Sequence, residues 1–155
     1  MSKITSRVAR LGLVWAAVAV AGLVAAPSAN AAATFYSSVP TKATGVTTVK
    51  STNTGHGTLQ IRKGKYDGKT YLWGRVSNPD STLNAGWDLK FVVASSSMPG
   101  APTNCRSNDT GSTKKDIDTT TYTSAVVLKS GCHYEAIAVN RSNWNDGWYT
   151  GYYSP

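Results

Sequence analysis

From Thr58 onward apolar and polar residues alternate: Leu59 and Ile61 fall on one side, Gln60 and Arg62 on the other. A period of two gives a strand one buried and one wet face. Thr70 to Val76 continues in the same way, with Tyr71 and Trp73 on one face and Leu72 and Val76 on the other. Between them Lys63 to Lys69 makes a turn, and Asp67-Gly68 marks its tip, because a tight type I′ hairpin needs positive φ at both central residues. Trp87, Leu89, Phe91 and Val93 share the face of a third strand opposite Asp88 and Lys90, a pattern suited to the centre of the core. His133 to Val139 sets Tyr134, Ala136 and Ala138 against His133, Glu135, Ile137 and Val139. Ile117 to Thr123 and Ala125 to Leu128 are also β-prone.

Turn formers separate these runs: Asn78-Pro79-Asp80, Asn84-Ala85-Gly86, Lys129-Ser130-Gly131 and Asn143 to Gly147. Ser95 to Asp116 reads as one long polar loop. No stretch after residue 31 has a helical period, which leaves six or seven short strands. The prediction is an all-β fold, a small immunoglobulin/fibronectin-like β-sandwich over residues 58–155. Residues 32–57 are rich in Thr, Ser, Val and Gly and end in the hinge-like Asn53-Thr54-Gly55-His56-Gly57. They read as an extended N-terminal arm, with the alternative that Thr44 to Lys50 is the first strand of the domain.

The start of the chain has a different pattern. Lys3, Arg7 and Arg10 precede an uncharged apolar run from Leu11 to Ala26, then Pro27, Ser28 and the small-residue pattern Ala29-Asn30-Ala31. This is the layout of a secretory signal peptide over residues 1–31. The apolar run falls short of the roughly 20 residues of a membrane span, so no membrane association is expected after cleavage. Removing those residues takes three basic and no acidic side chains, lowering the formal charge from +8 to +5. The remaining cations are scattered, which argues against a nucleic-acid partner. In an oxidising extracellular setting Cys105 and Cys132 are expected to pair.

Candidate chemistry is sparse. His133 and Glu135, two apart on one strand, are the minimum for a base and its orienting partner. The simpler account is a charged pair on a wet strand face. Asp116 and Asp118 lack the further oxygen ligands of a calcium loop. His56 sits in a glycine-flanked segment poorly suited to hold a base. No nucleophile elbow, phosphate loop or metal-ligand spacing is present, so neither a cofactor nor a catalytic residue is predicted. Aromatic residues are more informative. Trp144, Trp148, Tyr149, Tyr152 and Tyr153 crowd beside Asn143, Asn145 and Asp146, a mixture that suits sugars or a protein partner. Tyr66, Trp144, Trp148 and Tyr152 are the candidate ligand contacts, although alternate members such as Trp148 would equally well fill the core or cover a sheet edge. In the arm, Phe35, Tyr36, Val39, Val46 and Val49 would contact a partner that takes the arm as an added strand or in a groove. The loop around Cys105 is a candidate inhibitory loop against proteases.

The hairpin Leu59-Gln60-Ile61-Arg62-Lys63-Gly64-Lys65-Tyr66, followed by Gly68, Tyr71, Trp73 and Arg75, resembles a group of small secreted actinobacterial β proteins. Some proteins of this look serve as the adaptor subunit of streptomycete umbrella toxin particles. There the adaptor joins a lectin subunit to a large toxin protein through an extended N-terminal segment. The resemblance implies a secreted, non-enzymatic adaptor whose partners are other secreted proteins, with residues 32–57 as the joining segment. A carbohydrate- or cell-wall-binding module is the alternative.

Overall fold

The computed structural model describes residues 33–83, 86–94, Cys105 and 111–155. The signal-peptide reading of residues 1–31 lies outside them, as does most of the loop around Cys105. The fold is an all-β sandwich. Its strands are β1 (Phe35–Tyr36), β2 (Thr44–Asn53), β3 (Thr58–Tyr66), β4 (Lys69–Ser77), β5 (Trp87–Ala94), β6 (Ser112–Lys115), β7 (Thr121–Tyr122), β8 (Ala125–Val127), β9 (His133–Asn140) and β10 (Asn143–Tyr149), with one short helix α1 (Val39–Lys42). One sheet runs β1-β8-β4-β3-β2 with β7 also on β4; the other runs β10-β9-β5-β6. All pairings are antiparallel.

The alternation along the chain becomes the space between the sheets. Leu59, Ile61, Leu72 and Val76 from one sheet meet Trp87, Leu89, Phe91, Tyr134, Ala136 and Ala138 from the other in one buried cluster. β5 lies between β9 and β6, as a strand with a fully apolar inner face should. Gly74 faces the other sheet, where a Cβ would meet Ala136 Cβ at 3.4 Å and Phe91 Cβ at 3.5 Å, ordinary contact distances. The Cys105–Cys132 disulfide is formed, with Cα atoms 5.3 Å apart, and it belongs to the same cluster.

β4 is covered on its outer side as well. Tyr71 and Trp73 are buried with Val39 and Ala125, against Ala43, Val46, Tyr66 and Val127. Val39 comes from α1, where Pro40 occupies the first turn, a position at which its missing N–H costs nothing. Of the two readings of residues 32–57, the structure has the strand: β2 pairs with β3 over Thr44 to Asn53, and β1 pairs with β8. Outer-face packing of Val39 and Val46 holds this segment on the sheet.

Several boundaries differ from those read in the sequence. The β3–β4 turn is only Asp67 (φ 47°) and Gly68 (φ 68°), since Tyr66 pairs with Lys69; Lys63 to Lys65 are strand. Within the segment read as one loop, Ser112–Lys115 forms β6, a polar edge strand with too little apolar content to reveal itself. Asn143 to Gly147 is not a turn but part of β10, paired with β9 around a bulge. Asn140 and Asn143 side chains accept the N–H groups of Ser142 and Asn145, so the local turn chemistry is satisfied within a strand. The described residues form ten strands, several of two to four residues, against the six or seven expected.

Candidate functional site

Among the described residues five large hydrophobic side chains are exposed, and β10 with the residues after it carries three of them: Trp144 at 57 %, Tyr149 at 47 % and Tyr152 at 56 %. Trp144 and Tyr152 are braced by neighbouring side chains, and Tyr149 lies over the bare backbone of a glycine. Lys90 Nζ, projecting from the outer face of β5, sits 3.8 Å from the Trp144 ring centroid, a cation–π contact that fixes the ring. Tyr149, opposite Ile137 on β9, lies beside Gly147, where a Cβ would begin 3.6 Å from the ring. Tyr152 meets the His133 ring edge to face at 5.7 Å, and its carbonyl accepts a 2.7 Å hydrogen bond from Lys50 Nζ. Rings held in this way lose little freedom when a ligand covers them.

Polar groups border the rings. Asp146 accepts from Asn140 Nδ2 at 3.2 Å, and the Asn145 side chain makes no hydrogen bond among the described residues. The remaining candidate ligand contacts lie elsewhere. Trp148 is half-buried and stacks on Trp87 with centroids 4.5 Å apart. Tyr66 is half-buried in the outer cluster over β4, 6.4 Å from Tyr71.

Among the arm residues, Val39 is buried, Phe35 and Val49 pack on the main core, and Val46 packs on the outer cluster. Tyr36 is 40 % exposed and meets Tyr71 edge to face at 5.6 Å.

Polar side chains fall into separate groups. Glu135 has its carboxyl pushed up by burial, against a hydrogen bond from Gly151 and the charge of Lys50. His133 instead shares a hydrogen bond with the Ser154 hydroxyl. The two therefore form no relay with each other. Asp116 pairs with Arg141 at 2.9 Å, and Asp118 accepts from Thr121 Oγ1 at 3.0 Å, so both carboxylates are engaged within the fold. Among the described residues no group of three or more His, Cys, Asp or Glu is placed to hold a metal. None of the described helices is long and apolar enough to cross a membrane.

His56 is the residue whose setting the sequence conceals. Its Nδ1–H donates to Asp80 at 2.8 Å, its carbonyl accepts from the Asp80 N–H, and its ring tilts against Trp148 at 5.5 Å. The glycine-flanked segment is thus tied down at both main chain and side chain. Asp80 is 24 residues away, and no local pattern announces the pairing.

No protein-family model, curated protein or solved structure matches this chain.

Proposed function

We propose that the protein is a secreted, non-enzymatic binding module that holds a carbohydrate chain on the aromatic face formed by Trp144, Tyr149 and Tyr152. The observation that carries this reading is the bracing of two exposed rings, Trp144 by Lys90 and Tyr152 by His133. Aromatic faces pack against the C–H faces of sugars, while Asn145 and Asp146 supply hydrogen-bond partners for hydroxyls at the rim. The disulfide and the leader-like residues 1–31 support export. A glycan array probed with the protein, with Trp144→Ala and with Tyr152→Ala tests it. The reading requires glycan signal in the parent that either substitution reduces; silence on the array, or equal signal from all three proteins, rejects it.

A second reading, an adaptor in an extracellular assembly, has one observation in its favour. β2 is an edge strand of ten residues, and its free side presents main-chain groups to one more strand. Two bulges interrupt its ladder, a common device for blunting edges. In this form the joining element is the edge of β2, with residues 33–57 remaining on the domain. A partner strand on that edge would protect Val46 to Thr52 amides from hydrogen exchange, and unchanged exchange in culture-fluid complexes would reject it.

A further inference from the structure

Charge is divided unevenly between the two sheets. The six strands of the larger sheet carry six cations, Lys50, Arg62, Lys63, Lys65, Lys69 and Arg75, and no carboxylate. Arg62 and Arg75 lie on its outer face, on neighbouring strands and in diagonal register: Arg62 is opposite Trp73, and Arg75 is opposite Gln60. Diagonal neighbours on one face stand roughly 7–8 Å apart. Each guanidinium is oriented by a neutral acceptor, Arg62 by Thr48 Oγ1 at 2.7 Å and Arg75 by Gln60 Oε1 at 3.1 Å. Neither has a carboxylate partner among the described residues. Partial burial, together with the charge of Arg75, pushes the Arg62 guanidinium below its ordinary value, so the pair is held together against its own repulsion.

The same row of the sheet continues to an exposed ring. Tyr122 on β7 is directly opposite Arg75 and is 40 % exposed. It also lines a cleft of about 490 Å³ with serine and threonine side chains, and with Lys114 and Asp118 as the charged members. Of those hydroxyls, Ser112, Thr121 and Thr123 are bonded within the fold, while Ser37, Thr113, Thr119 and Thr120 are exposed. Hydroxyls donate and accept, as sugar hydroxyls do. Guanidinium forks match carboxylate, phosphate and sulfate oxygens.

We propose that the outer face of the larger sheet, centred on Arg62 and Arg75, binds the anionic groups of an acidic polysaccharide whose sugar rings lie over Tyr122 toward the hydroxyl-lined cleft. This surface is separate from the aromatic face of β10, and the inference does not depend on that face.

The test measures binding of the purified protein to polygalacturonate, dextran sulfate, neutral dextran and a single-stranded oligonucleotide of matched charge, at two salt concentrations. Binding to the two acidic polysaccharides, weakened by salt, is expected, with neutral dextran silent. Arg62→Gln and Arg75→Gln should each weaken it about tenfold or more, the scale of a lost charge-assisted hydrogen bond. Tyr122→Ala should weaken the polysaccharides while leaving any oligonucleotide binding unchanged. Lys63→Gln/Lys65→Gln serves as the control for general charge, and thermal melting checks that every variant is folded. Trp144→Ala should leave this binding intact, which separates it from the aromatic-face reading. Equal loss in the lysine control, tighter binding of the oligonucleotide, binding of neutral dextran, or no binding of either acidic polysaccharide would each overturn the proposal.

Discussion

The indole of Trp148 stacks on that of Trp87 with centroids 4.5 Å apart and planes 29° from parallel. Trp144, four residues earlier, turns to the opposite side of the same sheet and lies over Lys90. Two tryptophans of one strand therefore answer to different constraints, one to packing and one to solvent.

That division is measurable. Trp148→Ala removes a ring packed on the core and is expected to cost about 3 kcal/mol in urea unfolding, the lower end for a large aromatic because Trp148 is only half-buried. Trp144→Ala should leave stability within about 0.5 kcal/mol while reducing carbohydrate binding. Similar unfolding midpoints for both variants would contradict the assignment.

Gly64 marks the place where the N-terminal segment presses on the sheet. A Cβ there would begin 3.0 Å from both Ala43 Cβ and Trp73 Cη2, and 3.1 Å from Val46 Cγ2. Gly64→Val should destabilise by about 1–3 kcal/mol through overpacking. It should also shift the Trp73 indole resonance and speed amide exchange along β2. Unaltered exchange there would show that the segment is not seated on Gly64.

Two carboxyl groups give opposite pH dependences. Burial raises the Glu135 pKa above its ordinary value, so the folded chain holds that proton more tightly than the unfolded chain. Its contribution is complete at acid pH and declines as pH rises through the raised pKa. Glu135→Gln, which keeps an acceptor for the Gly151 N–H, should raise the denaturation midpoint at pH 7 and change it little at pH 3. Asp116 is held below its ordinary value chiefly by the hydrogen bond from Arg141. Its contribution is present above the unfolded pKa and lost as pH falls through the folded one, so Asp116→Asn should lower the midpoint at pH 7, and its effect should shrink as pH falls through that lowered pKa. Parallel shifts of the two variants across this range would refute the sign of one of them.

The disulfide closes a loop with a sequence separation of 27 residues. In the chain-entropy account, opening it should cost roughly 3.5 kcal/mol. Urea titration with and without reductant reads this directly, and an unchanged midpoint after complete reduction would show that the crosslink constrains little.

The inner faces were legible in the sequence because alternation there is strict: Trp87 to Val93 and Tyr134 to Ala138 have only to be read two at a time. Asp67-Gly68 was equally plain, since both residues suit positive φ. What escaped has a common cause, namely that partners distant in sequence decided the local structure. Ser112–Lys115 is polar throughout and becomes a strand only through pairing with β5. Asn143 to Gly147 has turn composition, yet β9 recruits it as a strand. Val39 and Val46 show no clean period because they cover the outer side of β4 and not the space between the sheets. For the candidate site, the aromatic crowding was visible, but which rings face solvent depended on the bulge in β10. The Arg62–Arg75 pair was hidden for a similar reason, since only the register of β3 on β4 makes them neighbours.

Cys105 and Cys132 lie on either side of β6, β7 and β8. A peptidase that severs the backbone once anywhere between these cysteines leaves both pieces covalently joined through sulfur. Such a nick releases no fragment, and a molecule exposed to proteolytic surroundings can survive the cut as one particle.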